Sequence, residues 1–370
     1  MPEQDSDIHA LRARLTATDH RILELVAERQ KLVEAIGRDK RSRGQQTRDF
    51  RREKEVIDGA VATAKKLGLS EDMTEALLTL LIRSSLTTQE HDRVVAEGRG
   101  SGRTALIIGG AGRMGRWFAD FLDSQGYAVS VADPSGDAAP YPSRKDWRSG
   151  DLGEDLIVVA APLAISGQIL TQLAQLQPPG LIFDIGSLKA PLRAGLESLV
   201  AAGCRVASLH PMFGPDTRLL SGRHVIIADV GCPEASQEIS DLFKATMAER
   251  VQMSLDEHDR LMAFVLGLSH ALNIAFFTAL ADSGEDVPHL AALSSTTFDA
   301  QLDVCSKVAA ENPQLYFEIQ SLNAHGKEAL DALENSVARL NQTIRSGDEE
   351  GFVALMERGR DYLARRRGGQ

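Results

Sequence analysis

The chain has 370 residues, 43% hydrophobic and 25% charged, ordinary for a globular protein and long enough for about two or three domains. Its formal net charge of −11 excludes the broad basic face that a phosphate backbone demands, so no nucleic-acid partner is expected. A few local cations can still hold small anions. Cys204, Cys232 and Cys305 are scattered, odd in number and without metal-ligand spacing, so they read as free thiols in a reducing compartment. The start of the chain has no basic-plus-apolar signal pattern, and no apolar run reaches the roughly 18 residues of a membrane span. No membrane partner is expected, and the cytoplasm is the expected location.

Residues 5 to 42 repeat apolar side chains at helical spacing: Ile8, Leu11, Leu15, Ile22, Leu25, Val26, Val33 and Ile36. At about 1.5 Å per residue such a helix is roughly 57 Å long, too long to bury its stripe on one short neighbour. A second helix is predicted over 49–67, closed by Gly68, and a third begins at Ser70, which can cap it, with Glu71 and Asp72 in the first turn. The segment Glu97-Gly-Arg-Gly-Ser-Gly-Arg103 breaks every pattern and reads as a linker.

From Thr104 short apolar strands alternate with helices: 105–109, 127–133, 155–160, 181–184, 204–207 and 224–228. That grammar predicts a parallel, doubly wound sheet. After about residue 234 strands should disappear, leaving helices over 256–283, 289–310, 313–346 and 349–367, the last ending in the solvated run Arg365-Arg366-Arg367. The expected domains are 1–95, a linker at 96–103, then 104–233 and 234–370.

The N-terminal helices carry charge where the stripe should be apolar. Arg29 and Lys40 continue the stripe of Ile22, Val26, Val33 and Ile36. Asp49 and Glu53 extend the second helix's stripe backwards, and Ser85 and Gln89 follow Leu78 and Leu81 on the third. Any one of them can be an edge residue whose stem reaches water. Six together point toward a shared polar interior that serves a ligand, because buried charge is costly unless paired or bound.

This pattern resembles the helical chorismate mutase family, in which an intertwined dimer of three-helix chains encloses two polar sites. The resemblance implies that Arg12 serves the partner's site, that Arg29 and Lys40 hold the substrate's carboxylates and ether oxygen, and that Asp49, Arg52 and Glu53 meet the ring hydroxyl and a carboxylate. Ser85 and Gln89 complete the set. An intramolecular rearrangement of a dianion needs no nucleophile or metal. Cations and donors that fix a folded conformer and stabilise charge on the breaking ether oxygen suffice, the second task falling to Lys40 and Gln89.

Gly110-Ala-Gly112-Arg113-Met114-Gly115 follows an apolar strand and opens a helix, and Asp133 closes the next strand. In that context the glycines and the acid are a dinucleotide fingerprint, and an acid placed for ribose hydroxyls favours NAD over its 2′-phosphate form. Three further clusters stand out: Asp184-Ile-Gly-Ser187-Leu-Lys189 after a strand, Leu209-His210-Pro-Met-Phe-Gly-Pro-Asp216 with its rigid loop, and Glu257-His258-Asp259 with Ser269-His270 on the first C-terminal helix. His210, beside Pro211, reads as a candidate base, whereas His270 lies in an apolar stretch where a lone histidine is commonly a core residue.

From about 104 to 365 the chain resembles prephenate dehydrogenases, through the fingerprint, Ser187-Leu-Lys189, Leu209–Asp216, Glu257-His258-Asp259, Leu293-Ser-Ser295 and Asn312–Tyr316. The resemblance implies that His210 takes the proton of the ring substituent at C4 as hydride leaves for NAD, with Ser187 orienting His210. It also implies substrate contacts from Lys189 and His270 and a C-terminal dimerisation region. The fold implied is an all-α three-helix chorismate mutase domain fused to an α/β Rossmann-type dinucleotide-binding domain and an all-α C-terminal domain, in a homodimer acting on small dianions. The chain departs from the family at Asp299 and Lys307, where arginines are expected. A lysine keeps the charge and loses the bidentate fork. If Asp299 faces the pocket, a cationic substrate, 4-amino-4-deoxyprephenate, is the alternative to prephenate; if it is a solvated helix residue, prephenate stands. A third reading keeps the mutase active and makes the second domain a regulatory NAD-binding module, against which stands the retention of His210 and Ser187.

Overall fold

The computed structural model describes residues 3–365, with side chains from residue 7 onward, so Arg366 and Arg367 of the terminal run lie outside the described residues. Three helices open the chain: α1 (Glu3–Ser42), α2 (Phe50–Leu67) and α3 (Glu71–Ala96). Their ends follow local chemistry. Asp49 caps α2 by accepting from the Arg52 amide, Gly68 closes it at φ +67°, and Ser70 caps α3 by accepting from the Met73 amide. α1 packs on α3 near its C-terminal end, where Val33 and Leu86 are buried. Along the rest of α1 the stripe has no cover: Ile8, Leu11, Leu15, Ile22, Leu23, Leu25, Leu32 and Ile36 remain 45–65% exposed.

The segment after α3 is no loose tether. Gly100 N donates to Gln125 O at 2.8 Å and Gly102 N to Gly126 O at 2.9 Å. A Cβ on Gly100 would fall 2.3 Å from the carbonyl carbon of Gly126. These glycines serve close backbone approach rather than flexibility.

The sheet follows with β1 (Thr104–Ile108), α4 (Arg113–Ser124), β2 (Ala128–Ala132), β3 (Ser143–Arg144), β4 (Leu156–Val159), α5 (Leu163–Leu176), β5 (Leu181–Asp184), α6 (Arg193–Ala201), β6 (Arg205–Pro211), β7 (His224–Asp229), α7 (Pro233–Leu242) and β8 (Glu249–Ser254). The strand order is β3-β2-β1-β4-β5-β6-β7-β8. Strands β1 to β6 pair in parallel, and β7 runs antiparallel to β6, with His210 opposite Ile226. β1, β4 and β5 are almost wholly buried, as strands covered on both faces must be. Phe118, Phe121, Phe183 and Phe243 pack edge-on and stacked in the core, which Val94 from the end of α3 joins.

Two expectations are corrected here. Strands continue beyond residue 234, because β8 lies at 249–254. Its sequence alternates polar and apolar residues at a sheet edge, so it lacks the fully apolar signature that marked the other strands. The sequence strand at 204–207 is also longer than expected, running to Pro211 and carrying His210 within the ladder rather than in a loop.

The described chain divides into two compact units. The first holds the three N-terminal helices and the sheet: residues up to Ala161, Leu173–Ile185 and Leu199–Gln252. The second holds Pro162–Gln172, Gly186–Ser198 and everything from Met253. It contains α8 (Leu255–Met262), a π-helical stretch Ala263–Leu268, α9 (Ser269–Asp282), α10 (Val287–Ala292), α11 (Thr296–Ala309), α12 (Pro313–Leu322), α13 (Gly326–Ser346) and α14 (Glu349–Ala364). Among the described residues one continuous helical run, Leu255–Asp282, is long and apolar enough to cross a membrane by length and composition. It also carries His258, Asp259 and Asn273, all buried and hydrogen-bonded.

Candidate functional sites

Between α1 and α3 the structure builds a polar seam. One Arg29 terminal nitrogen donates to Leu81 O at 3.1 Å and to Ser85 Oγ at 2.5 Å. The Gln89 amide donates to Val33 O at 3.3 Å, and both Ser85 and Gln89 are buried. Gly37 makes that approach possible, since a Cβ there would sit 3.1 Å from Gln89 Cγ. Lys40 donates to Thr47 O at 2.8 Å. The cations therefore rest on neutral oxygens, which leaves their charge available to an anion.

Other expected members are placed elsewhere within one chain. Asp49 is exposed and used as the α2 cap; Arg52 is exposed and paired with Glu55 at 3.3 Å. Glu53 is held bidentately by Arg48, at 2.9 Å to each oxygen. Arg12 lies on the exposed early part of α1. The periodicity that set Asp49 on the inner stripe ran across a helix start, where the capping conformation turns its side chain back onto the backbone. Arg41 was missed: its Nη1 is buried with no hydrogen-bond partner among the described residues, four residues beyond Gly37 on the face toward Gln89.

The glycine turn lies between β1 and α4. Gly109 adopts φ +86°. A Cβ on Gly110 would meet Val131 Cγ1 at 2.6 Å, and one on Gly115 would meet Gly109 O at 2.2 Å. At Gly112 the nearest atom is Gly109 O at 3.2 Å, and this residue starts α4 without a side-chain cap. Among the described residues no side chain caps the start of α4, a glycine-rich helix N-terminus of the kind that binds a pyrophosphate. Met114 packs on the core and Arg113 donates to Asp216 at 2.8 Å. Asp133, just past β2, accepts from Ser135 N and Oγ at 3.0 and 2.8 Å and from Ala111 N at 3.2 Å. These bonds hold a carboxylate beside the turn, so the residues present fit a dinucleotide.

His210, 5% exposed, sits near the end of β6. Ser208, two residues earlier and so on the same strand face, has a buried Oγ without a hydrogen-bond partner. Asp184, fully buried at the end of β5, pairs in register with Ser208. Ser208 carried no sequence signal beyond its place before His210.

In the second unit Asp259 organises the chain around Lys189. Its carboxylate accepts from the amides of Lys189 at 2.8 Å and Ala190 at 2.6 Å and contacts His258 Nδ1 at 2.7 Å. Asn323 donates to the Asp259 carbonyl at 2.9 Å. Burial alone would raise the Asp259 carboxyl, but the bonds from His258 and the two amides hold it below the usual carboxylate value. Lys189 and His258 are fully buried. Ser187 Oγ is buried without a hydrogen-bond partner. His270 stacks on Tyr316 with ring centroids 4.0 Å apart, its Nδ1 buried and unpartnered, and burial lowers its pKa so that it stays neutral. Asp299 is exposed and accepts from Ser294 Oγ at 2.5 Å in the first turn of α11, where the helix dipole favours an acid; Lys307 is exposed in the last turn.

Comparison with known proteins agrees with this division. Residues 11–90 match the family Chorismate mutase type II, residues 145–251 the Prephenate dehydrogenase nucleotide-binding domain, and residues 254–358 the Prephenate dehydrogenase dimerization domain. The T-protein of Enterobacter agglomerans is 30% identical over 361 residues, covering 95% of this chain and 92% of that protein. The 4-amino-4-deoxyprephenate dehydrogenase of Streptomyces pristinaespiralis is 30% identical over 271 residues, 70% of this chain and 90% of that protein. The crystal structure of A. aeolicus prephenate dehydrogenase with hydroxyphenyl propionate and NAD+ shares the fold, with TM-score 0.57 and 20% identity over 71% of this chain and 98% of that one. The three matched segments follow one another along the chain, a T-protein matches nearly its whole length at 30% identity, and the chain belongs to the bifunctional chorismate mutase/prephenate dehydrogenase family, the T-proteins.

Proposed function

We propose that the α1–α3 seam rearranges chorismate to prephenate and that the sheet and C-terminal helices convert prephenate with NAD to 4-hydroxyphenylpyruvate and CO2. The observation that carries the reading is the presence in one chain of a cationic seam resting on neutral oxygens and a glycine turn whose helix start is left open. In the mutase, Arg29 and Lys40 hold the dianion in its folded conformer. Lys40 and Gln89 stabilise the charge that grows on the ether oxygen, and Ser85 fixes Arg29. Glu53, Asp49 and Arg52 meet the ring hydroxyl and a carboxylate, and Arg12 serves the site of a second copy.

In the dehydrogenase, Gly110, Gly112, Arg113, Met114 and Gly115 cradle the pyrophosphate, and Asp133 accepts from the ribose hydroxyls. When bound, the nicotinamide supplies the hydride acceptor. His210 removes the proton of the C4 hydroxyl as that carbon gives up hydride, while the bond to the ring carboxylate breaks and its electrons complete the aromatic ring. A histidine suits this because its ordinary pKa lies near neutrality. Ser187, Lys189, His270 and Lys307 are assigned to the dehydrogenase substrate and its surroundings. The 4-amino substrate is not favoured, since Asp299 is engaged with Ser294 at the helix start and the near-full-length relative is a T-protein.

The uncovered stripe of α1 and the match of residues 254–358 to a dimerization domain support a homodimer. Small dianionic substrates and the kinship with soluble biosynthetic enzymes support a cytoplasmic location. The test is NADH formation by the full chain supplied with chorismate, with prephenate and with 4-amino-4-deoxyprephenate. Turnover of the first two is expected, and His210→Asn should lower the dehydrogenase by about 10²–10⁴-fold while chorismate is still consumed. Turnover confined to the amino compound would sink the substrate assignment, and an active His210→Asn would sink the role of the base.

A further inference from the structure

Glu90 follows Gln89 on α3 but turns away from the mutase seam. It is 3% exposed, and its carboxylate accepts from two backbone amides of the sheet region, Leu220 at 2.8 Å and Met247 at 2.5 Å. Burial raises its pKa, and the two amides work against that rise. A carboxylate is an expensive group to bury, and these two donors are what compensates it. A second contact reaches the same stretch. Arg48 holds Glu53 with two nitrogens and uses the third on Ser221 Oγ at 2.7 Å, with its guanidinium 4.1 Å from the Phe50 ring centroid.

Leu220 and Ser221 end the stretch 212–223 that leads from His210 to β7. The middle of that stretch is tied to the nucleotide side. Asp216 accepts from Arg113 at 2.8 Å, Thr217 O accepts from Trp117 Nε1 at 2.9 Å, and Phe213 packs on Trp117 at 4.9 Å between centroids. One loop, starting at the proposed base, is therefore fastened in the middle to the glycine-turn helix and at its far end to the mutase helices.

We infer that Glu90 and Arg48 are positioning residues of the dehydrogenase, through which the mutase helices set the loop 212–223 against the cofactor-binding turn. A helix that served only the mutase would have no use for a buried carboxylate aimed at Leu220 and Met247. A loop of this length, without the far attachment, would have more conformations to lose when the cofactor binds, so its loosening should appear mainly in cofactor affinity. The inference rests on the reading that His210 and the glycine turn flank the reacting centre.

The test uses the full chain. Glu90→Gln keeps the shape but opposes one amide N–H with an NH2 group. Its KM for NAD should rise by about threefold to tenfold with the dehydrogenase kcat within about threefold, the pattern of lost ground-state binding. Mutase kcat/KM should change by less than about twofold, and hydrogen exchange at Leu220 and Met247 should quicken by about tenfold. Ser221→Ala, which removes only a hydroxyl, should raise the same KM by a smaller factor, about twofold to threefold. If Glu90→Gln does not fold, Ser221→Ala alone decides: an unchanged KM overturns the inference. So does quickened exchange in Glu90→Gln with unchanged KM, which would leave Glu90 as a cap for two amides and nothing more. Failure of His210→Asn to impair the dehydrogenase would instead overturn the reading beneath it.

Discussion

The three-helix region and the sheet are built to bind anions by opposite means. In the helices the binding groups are long side chains, Arg29, Lys40 and Gln89, set on regular elements and resting on the carbonyls of Leu81, Thr47 and Val33. In the sheet the proposed binding group is the backbone: Gly112 starts α4 with no side-chain cap, while Gly110 and Gly115 allow the turn to pack, since a Cβ there would strike Val131 and the Gly109 carbonyl. The first arrangement places full charges around a reaction whose transition state gathers charge on one oxygen. The second, as proposed, would hold a phosphate by backbone amides without charge of its own and leave the chemistry to His210. The regions also differ in completeness. The sheet buries its aromatic core within one chain, while α1 leaves a stripe of eight large apolar residues half exposed. Burying each such side chain is worth about 1.5–3 kcal/mol, a gain that the proposed second copy would supply.

The largest expected effect breaks the comparison at its charged side. Lys40→Met removes the cation while keeping most of the stem, and mutase kcat/KM should fall by about 10²–10³-fold, the loss seen when one preorganised donor is removed from a developing oxyanion. Dehydrogenase activity on added prephenate should stay within about twofold, because the glycine turn and His210 do not draw on Lys40. Steady-state rates on the two substrates decide it. A parallel fall in both activities would mean that the two regions are not separable.

How much of this was legible in the sequence follows from the same contrast. Gly68, Ser70 and the glycine turn were readable because each acts through its own backbone conformation or its nearest neighbours. The polar seam was readable because helical periodicity carries Arg29, Ser85 and Gln89 onto facing stripes. The cap role of Asp49 was not readable, because periodicity was extended past the helix start, where capping decides orientation. The glycines after α3 looked like a tether, yet Gly100 is pressed against Gly126, a contact that only the fold creates. Asp259 is the clearest case. Its partners at Lys189 and Ala190 lie 70 and 69 residues away, and nothing local to Glu257-His258-Asp259 announces them.

Asp259→Asn sharpens the point with an intermediate effect. Replacing one carboxylate oxygen by NH2 sets donor against donor in a buried place, which costs about 1–3 kcal/mol at neutral pH. The folded carboxyl lies below its ordinary value, so its contribution is present in full above the unfolded pKa near 3.9 and is lost as pH falls through the lower folded value. Urea midpoints of wild type and variant, compared at pH 7 and again below about pH 4, should therefore converge on acidification. A difference that persisted undiminished in acid would assign the effect to packing rather than to the ionised hydrogen bonds.

The smallest effect has the opposite sign, and it probes whether one chain shows all of α2's surroundings. Gly59 lies in the interior of α2, exposed, and a Cβ there meets nothing within 4 Å. At Gly115 the same added carbon would stand 2.2 Å from a carbonyl oxygen. Glycine in the sheet region is thus required by sterics, whereas at Gly59 it only weakens a helix. Gly59→Ala should stabilise the protein by about 0.5–1 kcal/mol through lower unfolded-state entropy, raising Tm by about 0.5–1.5 °C in a chain of this size. Scanning calorimetry at two protein concentrations gives the answer. A lower Tm together with weaker dimerisation would mean that a second copy lies against this face of α2, and that the open space beside Gly59 belongs to the single chain alone.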